Sequence, residues 1–386
     1  MSSVVALRPP QGRRRFRGRR RVLFFGTYDA RLYPRVLVLK EGFEALGDEV
    51  LECNVPLGID TAMRVRMLRR PWLAVFLLVR LVVAWTRLWW RARRLPAVDL
   101  VVVGYMGHFD VHLARFLWPD VPVVLDHLVS ASDTAVDRRA SSGLLVRLLQ
   151  RLDDAAIRAA DLPCVDTADQ LRLIAADAHD KALVVPVGAA NAWFRAPAPH
   201  SGRLRVVFFG SFTPLQGAPV IGEAAARLAD HPEVSFTMIG RGQDYDATRA
   251  AAAGGRVDWI DWVEPEQLPS VIADHDVCLG IFGTGAKALR VVPNKVFQGA
   301  AAGAALVTSD TVPQQDAFAG AAVFVPPGDP DSLAAALLAL ANDAARVAGL
   351  RQAAHARANE RYRPESIVAP LYERVVAYRR LEPVAA

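Results

Sequence analysis

Short apolar runs alternate with helix-length segments along the chain, and the alternation begins close to the N-terminus. Residues 22–26 form an apolar strand candidate that ends at a glycine turn, and a helical segment and a second strand beginning near Glu49 follow it. Residues 144–160 have a helical pattern. Further short runs rich in β-branched residues, as is typical of buried parallel strands, are residues 98–105, 121–127, 161–167 and 181–188. The pattern therefore predicts an α/β domain in the N-terminal half.

The same pattern starts again after residues 197–203, a stretch rich in Pro, Ala and Ser. Residues 204–217 repeat the apolar strand and glycine turn of the start, and strands and helices of similar length alternate after them. Such alternation predicts parallel sheets with helices on both faces. The last segment, residues 364–380, has apolar side chains at helical spacing. We expect this helix to pack back on the N-terminal domain.

The length of the chain requires more than one core. Its 386 residues exceed the size at which a single core stops growing, and with 52% hydrophobic and 22% charged residues both halves can bury a core. The predicted organisation is a basic flexible arm (1–21), an N-terminal Rossmann-like domain (22–196), a C-terminal Rossmann-like domain (203–361) and a final helix (362–386). Two such domains placed face to face would form an interdomain cleft, since these sheets bind ligands at the carboxyl ends of their strands.

The net charge of +6 hides an uneven distribution of charge. Residues 1–21 contain eight arginines and no acid, residues 61–98 contain nine arginines and no acid, and the remainder of the chain is net acidic. Concentrated positive charge suggests an anionic partner. We expect phospholipid rather than nucleic acid, because no recognition-helix or RNA-binding motif accompanies the charge.

The cysteines and the N-terminal residues bear on the compartment. The three cysteines are scattered and have no metal-ligand spacing, which indicates a reducing environment. The apolar run at 22–26 is too short for the core of a signal peptide. We therefore expect a cytoplasmic protein.

The apolar segment at residues 69–94 is close to the length of a membrane span, but Arg80 and Arg87 interrupt it. On a helix, five of its arginines (Arg69, Arg80, Arg87, Arg91 and Arg94) fall within about 60° of one another, and the rest of the surface carries many apolar side chains. This is the arrangement of a helix lying in a lipid interface, and it would place the protein at the inner face of the cell membrane. An ordinary domain helix with its arginines outward is the alternative. Two central charges disfavour a transmembrane span.

The candidate ligand-binding residues are those at strand ends. In the first domain they lie in the first loop (Gly26, Thr27, Tyr28, Asp29 and Arg31) and at the ends of the next strands (Tyr105 to Asp110, Asp126 and His127, Asp166 and Thr167). In the second domain they are Gly210, Ser211, Phe212, Gly240, Gly242 and Gly285, with Arg290, Asn294, Lys295, Val296 and Gln298 at and before the start of a helix.

Residues 293–310, "PNKVFQGAAAGAALVTSD", resemble the donor-site helix, small-residue turn and buried strand of the family 4 glycosyltransferases. Residues 206–217, 236–242 and 322–337 are similar to further segments of that family. The resemblance covers nearly the whole chain. It implies the GT-B fold and a retaining, hexosyltransferase-like and metal-independent enzyme that uses a nucleotide sugar, without a cofactor.

The chain departs from the family pattern at its charged donor-site residues. Two glutamates seven residues apart correspond to Val291 and Gln298, and the Arg and Lys that contact the donor pyrophosphate correspond to Ser211 and Gln216. The Gln298 amide could still bind ribose hydroxyls. The resemblance then implies that the pyrophosphate is neutralised from elsewhere, by Lys295 in the first place or by Arg290, with help from the amides at the helix N-terminus.

Each candidate also has a structural interpretation. Lys295 and Arg290 could be solvated surface charges, and the glycines could serve only tight turns. Asp126 and His127 could cap a buried strand. Alternatively one of them contacts the donor sugar and acts in catalysis, as a histidine in a comparable place does in related enzymes.

The sequence thus predicts transfer of a sugar, with retention, from a nucleotide sugar to a sugar or a lipid-linked acceptor in glycan biosynthesis. No carboxylate cluster suggests a divalent ion, so none is expected. Two alternatives remain. One is a GT-B nucleotide-sugar epimerase, and the other is a catalytically silent, membrane-associated nucleotide-sugar-binding protein, which the missing charged residues would fit.

Overall fold

A computed structural model describes residues 19–29, 33–58, 73–137, 143–197 and 202–380. The chain divides into two compact units. The first comprises residues 1–186 together with residues 364–386, and the second comprises residues 187–363. Most of the expected basic arm lies outside the described residues, and the first strand begins at Arg21.

The first unit contains a parallel sheet of six strands in the order β2-β1-β3-β4-β5-β6. The strands are β1 (Arg21–Gly26), β2 (Glu49–Asn54), β3 (Leu100–Val103), β4 (Val123–Asp126), β5 (Leu162–Val165) and β6 (Leu183–Val184). The helices are α1 (Pro34–Ala45), α2 (Leu73–Ala92), α3 (Asp110–Leu117), α4 (Ala131–Asp137), α5 (Gly143–Ala159), α6 (Ala168–Leu171) and the C-terminal α14 (Pro364–Arg380).

The second unit contains a second parallel sheet of six strands, in the order β12-β11-β10-β7-β8-β9. The strands are β7 (Leu204–Phe209), β8 (Val234–Ile239), β9 (Val257–Ile260), β10 (Val277–Leu279), β11 (Ala305–Ser309) and β12 (Val323–Val325). The helices are α7 (Ala218–Arg227), α8 (Tyr245–Ala251), α9 (Leu268–Ala273), α10 (Asn294–Ala301), α11 (Val312–Phe318), α12 (Pro330–Ala341) and α13 (Ala344–Arg361).

The inner strands of both sheets are largely apolar and buried because helices cover both faces. In β3 all four residues are buried, and in β11 all five are buried. Since every strand pair is parallel, the carboxyl ends of the strands in each sheet meet at one edge. The predicted α/β fold with two Rossmann-like domains is confirmed.

The division between the units differs from the expected boundary at residue 196. Residues 187–197 belong to the second unit, where the Trp193 ring stacks on Phe209 with centroids 5.8 Å apart. The Arg195 amide also donates to the Ala301 carbonyl at 3.0 Å. These contacts, rather than the composition of the linker, set the boundary.

The C-terminal helix α14 packs against α1 in the first unit. The approach is close at Gly42, where an added Cβ would lie 2.3 Å from the Pro364 carbonyl oxygen and 2.4 Å from Cγ2 of Val368. Helix α13 also contains a glycine, Gly349, but an added Cβ there meets no atom within 4 Å.

The substitution Gly42→Ala is expected to lower the free energy of unfolding by about 1–3 kcal/mol, because the methyl group forces two backbones apart. Gly349→Ala is the matched control, and it should stabilise the protein by about 0.5–1 kcal/mol, since alanine is the better helix former. Urea denaturation followed by circular dichroism measures both. Equal, stabilising effects of the two substitutions would contradict the close contact between α1 and α14.

Candidate functional site

Two glycine turns lie side by side at the carboxyl edge of the second sheet. Gly210 follows β7 with φ +154°, and Gly240 follows β8 with φ +115°. A Cβ on Gly240 would lie 2.0 Å from the Gly210 carbonyl oxygen, and one on Gly242 would lie 1.6 Å from that of Ser211. Only glycine permits this contact between backbones. The two turns therefore form a single surface of main-chain atoms.

Lys295 lies directly beside this surface. It is the second residue of α10 and is only 4% exposed. Its Nζ donates to Oε1 of Gln216 at 2.9 Å and lies 3.7 Å from the centroid of the Phe208 ring. A Cβ added to Gly210 would lie 3.0 Å from the same nitrogen. Gln216 stands where the family that this chain resembles has a basic residue. It thus contacts Lys295, the residue expected to supply the missing positive charge.

The Lys295 ammonium group has no compensating charge among the residues that the structure describes. Among the described residues, no carboxylate forms an ion pair with it, and its contacts are an amide oxygen and an aromatic face. Burial lowers the pKa of Lys295 to about 7, with a small opposing effect of the Cys278 thiol. An anion beside the glycine turns would supply the missing negative charge.

The other candidates in the second unit fall into two groups. Ser211, Gly242 and Gly285 are exposed at the carboxyl edge, and Arg290 and Asn294 are half-buried before and at the start of α10. In contrast, Val296 and the Phe212 ring belong to the core, and Gln298 is buried. Phe212 has φ +42° and packs on Phe208 and Tyr245, so that its ring is unavailable to a ligand.

The first loop of the N-terminal unit is held by hydrogen bonds to a helix and a strand of the same unit. The Thr27 amide and hydroxyl both donate to Oδ2 of Asp110 at 2.7 Å. The buried Tyr28 hydroxyl donates to Glu52 at 2.8 Å, and burial raises the pKa of that phenol. Arg31 lies outside the described residues.

Asp126 forms a buried ion pair at the end of β4. Nε of Arg35 on α1 donates to its Oδ1 at 2.6 Å, and both residues are 1% exposed. Nη1 of Arg35 also donates to the Pro186 carbonyl. The pair ties α1 to the sheet edge, and the Asp126 carboxylate faces a cation of its own unit rather than solvent.

His127 follows Asp126 and is 8% exposed, and its Nδ1 has no hydrogen-bond partner among the described residues. Burial, with the nearby His108, lowers the pKa of His127 to about 4. The imidazole is therefore neutral near pH 7, and it can accept one hydrogen bond and donate another.

His108 and Asp153 accompany His127, and the ligand atoms of the three residues lie within 4.8 Å of one another. These residue types could hold a metal ion. The Asp153 carboxylate, however, already accepts from Nε2 of His108 at 2.8 Å and from the Ala131 amide at 2.9 Å. Ser130 and Ser132 donate to it as well. Although burial opposes it, the His108 hydrogen bond and charge keep the Asp153 pKa below its usual value. The geometry is that of an aspartate that organises the loop after His127.

Helix α2 presents three stripes along its length. Leu81, Ala84 and Leu88 are buried against the sheet. At about 100° per residue, the described arginines occupy a stripe of about 40° and the outer apolar side chains span about 160°. The exposed apolar residues are Val75, Phe76, Leu78, Val79, Val82, Val83 and Trp90.

Within the described residues no single helix has the length and apolarity of a membrane span, and only the bent pair of residues 330–341 and 344–377 meets that criterion jointly.

Comparison with known proteins assigns the fold and the class. Residues 203–343 match the family of glycosyl transferases group 1. No curated protein sequence matches the chain. Sucrose-phosphate synthase from Thermosynechococcus elongatus superposes with a TM-score of 0.69 at 16% identity, over 93% of this chain and 100% of that one.

Two further solved structures have the same fold. The Anabaena protein HepE in complex with UDP-glucose superposes with a TM-score of 0.65 at 14% identity, covering 92% of this chain and 99% of that one. An α,α-trehalose-phosphate synthase from Burkholderia xenovorans has a TM-score of 0.56 at 16% identity, over 76% and 77% of the two chains. At these identities the likeness establishes the fold, which is GT-B. Together with the family match of the second unit, it indicates that the chain is a glycosyltransferase.

The sequence pattern found the strand ends but did not show which residues hold them in place. His108 in the loop after β3 and Asp110 at the start of α3 are candidates because they follow a strand end, but their partners could not be predicted. Asp153 lies in the middle of a helix, 45 residues from His108. Nothing in the sequence indicates that contact.

Proposed function

We propose that the chain transfers a sugar from a nucleotide sugar, and that Lys295 neutralises the donor pyrophosphate in the second unit. One observation carries this proposal: a buried lysine with no carboxylate partner among the described residues lies beside two glycine turns at the carboxyl edge of a parallel sheet. A structural lysine in such a place would be expected to have an acidic partner. A diphosphate would pair with the ammonium group and accept hydrogen bonds from main-chain amides.

The solved relatives support the choice of donor. HepE is described in complex with UDP and with UDP-glucose, and the trehalose-phosphate synthase is described as UDP-forming. The proposed donor is therefore a nucleoside diphosphate sugar, and a uridine diphosphate sugar is the first to test. Since Lys295 and the main-chain amides provide positive potential, we propose that binding needs no metal ion.

The first unit is proposed to receive the acceptor and the sugar. The turn at Thr27 and Tyr28 would face the acceptor, and the neutral His127 imidazole would bind a sugar hydroxyl through its unpartnered Nδ1. Asp126 would act indirectly, by fixing α1 and the start of the His127 loop through Arg35. Transfer would proceed with retention and with stabilisation of the leaving diphosphate as the main catalytic effect.

The outer face of α2 is proposed to lie on an anionic membrane surface. Apolar side chains cover most of this face and arginines line one side, which is the composition of an interfacial helix. Apolar contact and attraction to anionic lipids would then act together. This location suits a lipid-linked acceptor at the cytoplasmic leaflet.

A silent nucleotide-sugar-binding protein is the second candidate, because Val291 and Gln298 stand where the resembling family has glutamates. Both candidates bind the donor. They differ in turnover. Only an enzyme transfers the sugar to an acceptor, or slowly to water, and releases the nucleoside diphosphate.

The substitution Lys295→Met tests the phosphate site. It removes the charge and keeps most of the side-chain volume, so that the affinity for UDP in chelator-containing buffer is expected to fall by roughly 10–100-fold. The melting temperature of the ligand-free protein should rise or stay constant, because a buried ammonium group is removed. Calorimetric titration and thermal shifts with UDP, GDP and dTDP measure these effects.

Two variants serve as comparisons for Lys295→Met. Arg249→Met removes an exposed cation elsewhere in the second unit and should leave the affinity unchanged. If Arg290→Met abolishes binding and Lys295→Met does not, the phosphate site lies at Arg290 instead. Wild-type affinity in both variants would refute the proposed site.

Replacing Trp90 by Ser tests the membrane surface. Vesicles containing phosphatidylglycerol should bind this variant several-fold more weakly than the wild type, because an interfacial aromatic side chain is lost. Trp262→Ser is the matched control, since Trp90 is 60% exposed and Trp262 in the second unit is 61% exposed. Sedimentation with vesicles measures both. Equal losses in the two variants would argue against a lipid-binding role of α2.

A further inference from the structure

The inner side of α2 is connected to the turn that follows β1. Nε1 of Trp85 donates to Oδ1 of Asp110 at 2.9 Å. The other carboxylate oxygen of Asp110 accepts from the amide and the hydroxyl of Thr27, each at 2.7 Å. Asp110 is 2% exposed. The carboxylate therefore links the helix to the turn within the protein interior.

A second set of hydrogen bonds leads from α2 to the same turn. Nη1 of Arg91 donates to the Asn54 carbonyl at 2.7 Å. The Asn54 side-chain amide donates to the carbonyls of Gly26 and Tyr28, at 3.1 and 2.9 Å. Gly26–Tyr28 is thus held from two sides, and both connections begin on α2.

The conformation of the turn depends on the Asp110 carboxylate. Gly26 has φ +144°, and an added Cβ would lie 2.9 Å from Oδ2 of Asp110. A side chain at residue 26 would displace the carboxylate, and glycine permits its approach. A shift of α2 that moved Trp85 would therefore change the environment of the Thr27 amide.

The same helix presents its apolar outer face to solvent, on the side away from Leu81, Ala84 and Leu88. We propose that Trp85 and Arg91 are positioning residues through which contact of α2 with a lipid surface orders the Gly26–Tyr28 turn. This inference rests on the proposed function, in which the turn faces the acceptor and α2 lies on the membrane. It implies that the acceptor is an amphiphile presented at the bilayer surface.

Amide hydrogen exchange of the full chain, with and without vesicles of phosphatidylglycerol and phosphatidylcholine, tests the connection. Vesicle binding should slow exchange of the amides at residues 26–29 at least about threefold, because ordering of α2 is transmitted to the turn. Trp85→Phe keeps the ring packing but loses the hydrogen bond to Asp110. This variant should bind vesicles with wild-type affinity and lose the protection of the turn.

Trp89→Phe is the matched control, because it makes the same chemical change one turn along α2 and should retain the protection. Thr27→Val, which removes only the hydroxyl donor, provides a second test if Trp85→Phe is unstable, and it should at least halve the protection. Vesicle binding by the wild type without protection of residues 26–29 would overturn this inference alone. Full protection in Trp85→Phe, or in Thr27→Val, would also overturn it. Failure of the wild type to bind vesicles would overturn both this inference and the proposed membrane contact.

Discussion

The burial of the Lys295 ammonium group is the physical constraint that governs anion binding by the second unit in the proposed function. Placing a cation in the interior is unfavourable unless something compensates its charge. Here the compensation is partial, since the Gln216 amide oxygen accepts one hydrogen bond and the Phe208 ring offers its negative face. Burial therefore still lowers the pKa of Lys295 to about 7, because the positive charge is not fully compensated. A diphosphate at the glycine turns would compensate this charge. The unfavourable burial of Lys295 in the free protein thus favours binding of an anion.

The main chain around Lys295 is arranged for the same purpose. Gly210 and Gly240 approach each other so closely that no other residue fits at position 240. Side chains are thereby kept away from the surface that the lysine borders. In the N-terminal unit, acidic residues at the sheet edge instead accept hydrogen bonds from their own unit, Asp126 from Arg35 and Asp110 from Thr27 and Trp85. Among the described residues, Nδ1 of His127 and Oδ2 of Asp126 have no hydrogen-bond partner.

The period and composition of the apolar runs sufficed to predict the two parallel sheets, because buried parallel strands have a distinct pattern. Lys295 could be singled out because the cations of the resembling family are absent at Ser211 and Gln216. The contact between Lys295 and Gln216 could not be predicted, since 79 residues separate them. For the same reason the sequence placed Asp126 at a strand end without its partner Arg35, 91 residues away. The sequence also offered Phe212 and Val296 as ligand contacts because they neighbour the turns, whereas packing turns both side chains into the core.

The charge state of Lys295 shows directly whether this residue pairs with the donor diphosphate. Because its pKa is about 7 in the free protein, the amino group is largely neutral at pH 8, and an adjacent diphosphate would raise this pKa. Donor binding should therefore take up a proton at pH 8, and affinity should fall as the pH rises above 7. Calorimetric titration with UDP-glucose, in buffers of different ionisation enthalpy, measures the uptake. We expect uptake of about 0.5–1 proton per donor bound to the wild type at pH 8 and none in Lys295→Met. Binding to the wild type without proton uptake, or equal uptake by the variant, would contradict the pairing of Lys295 with the diphosphate.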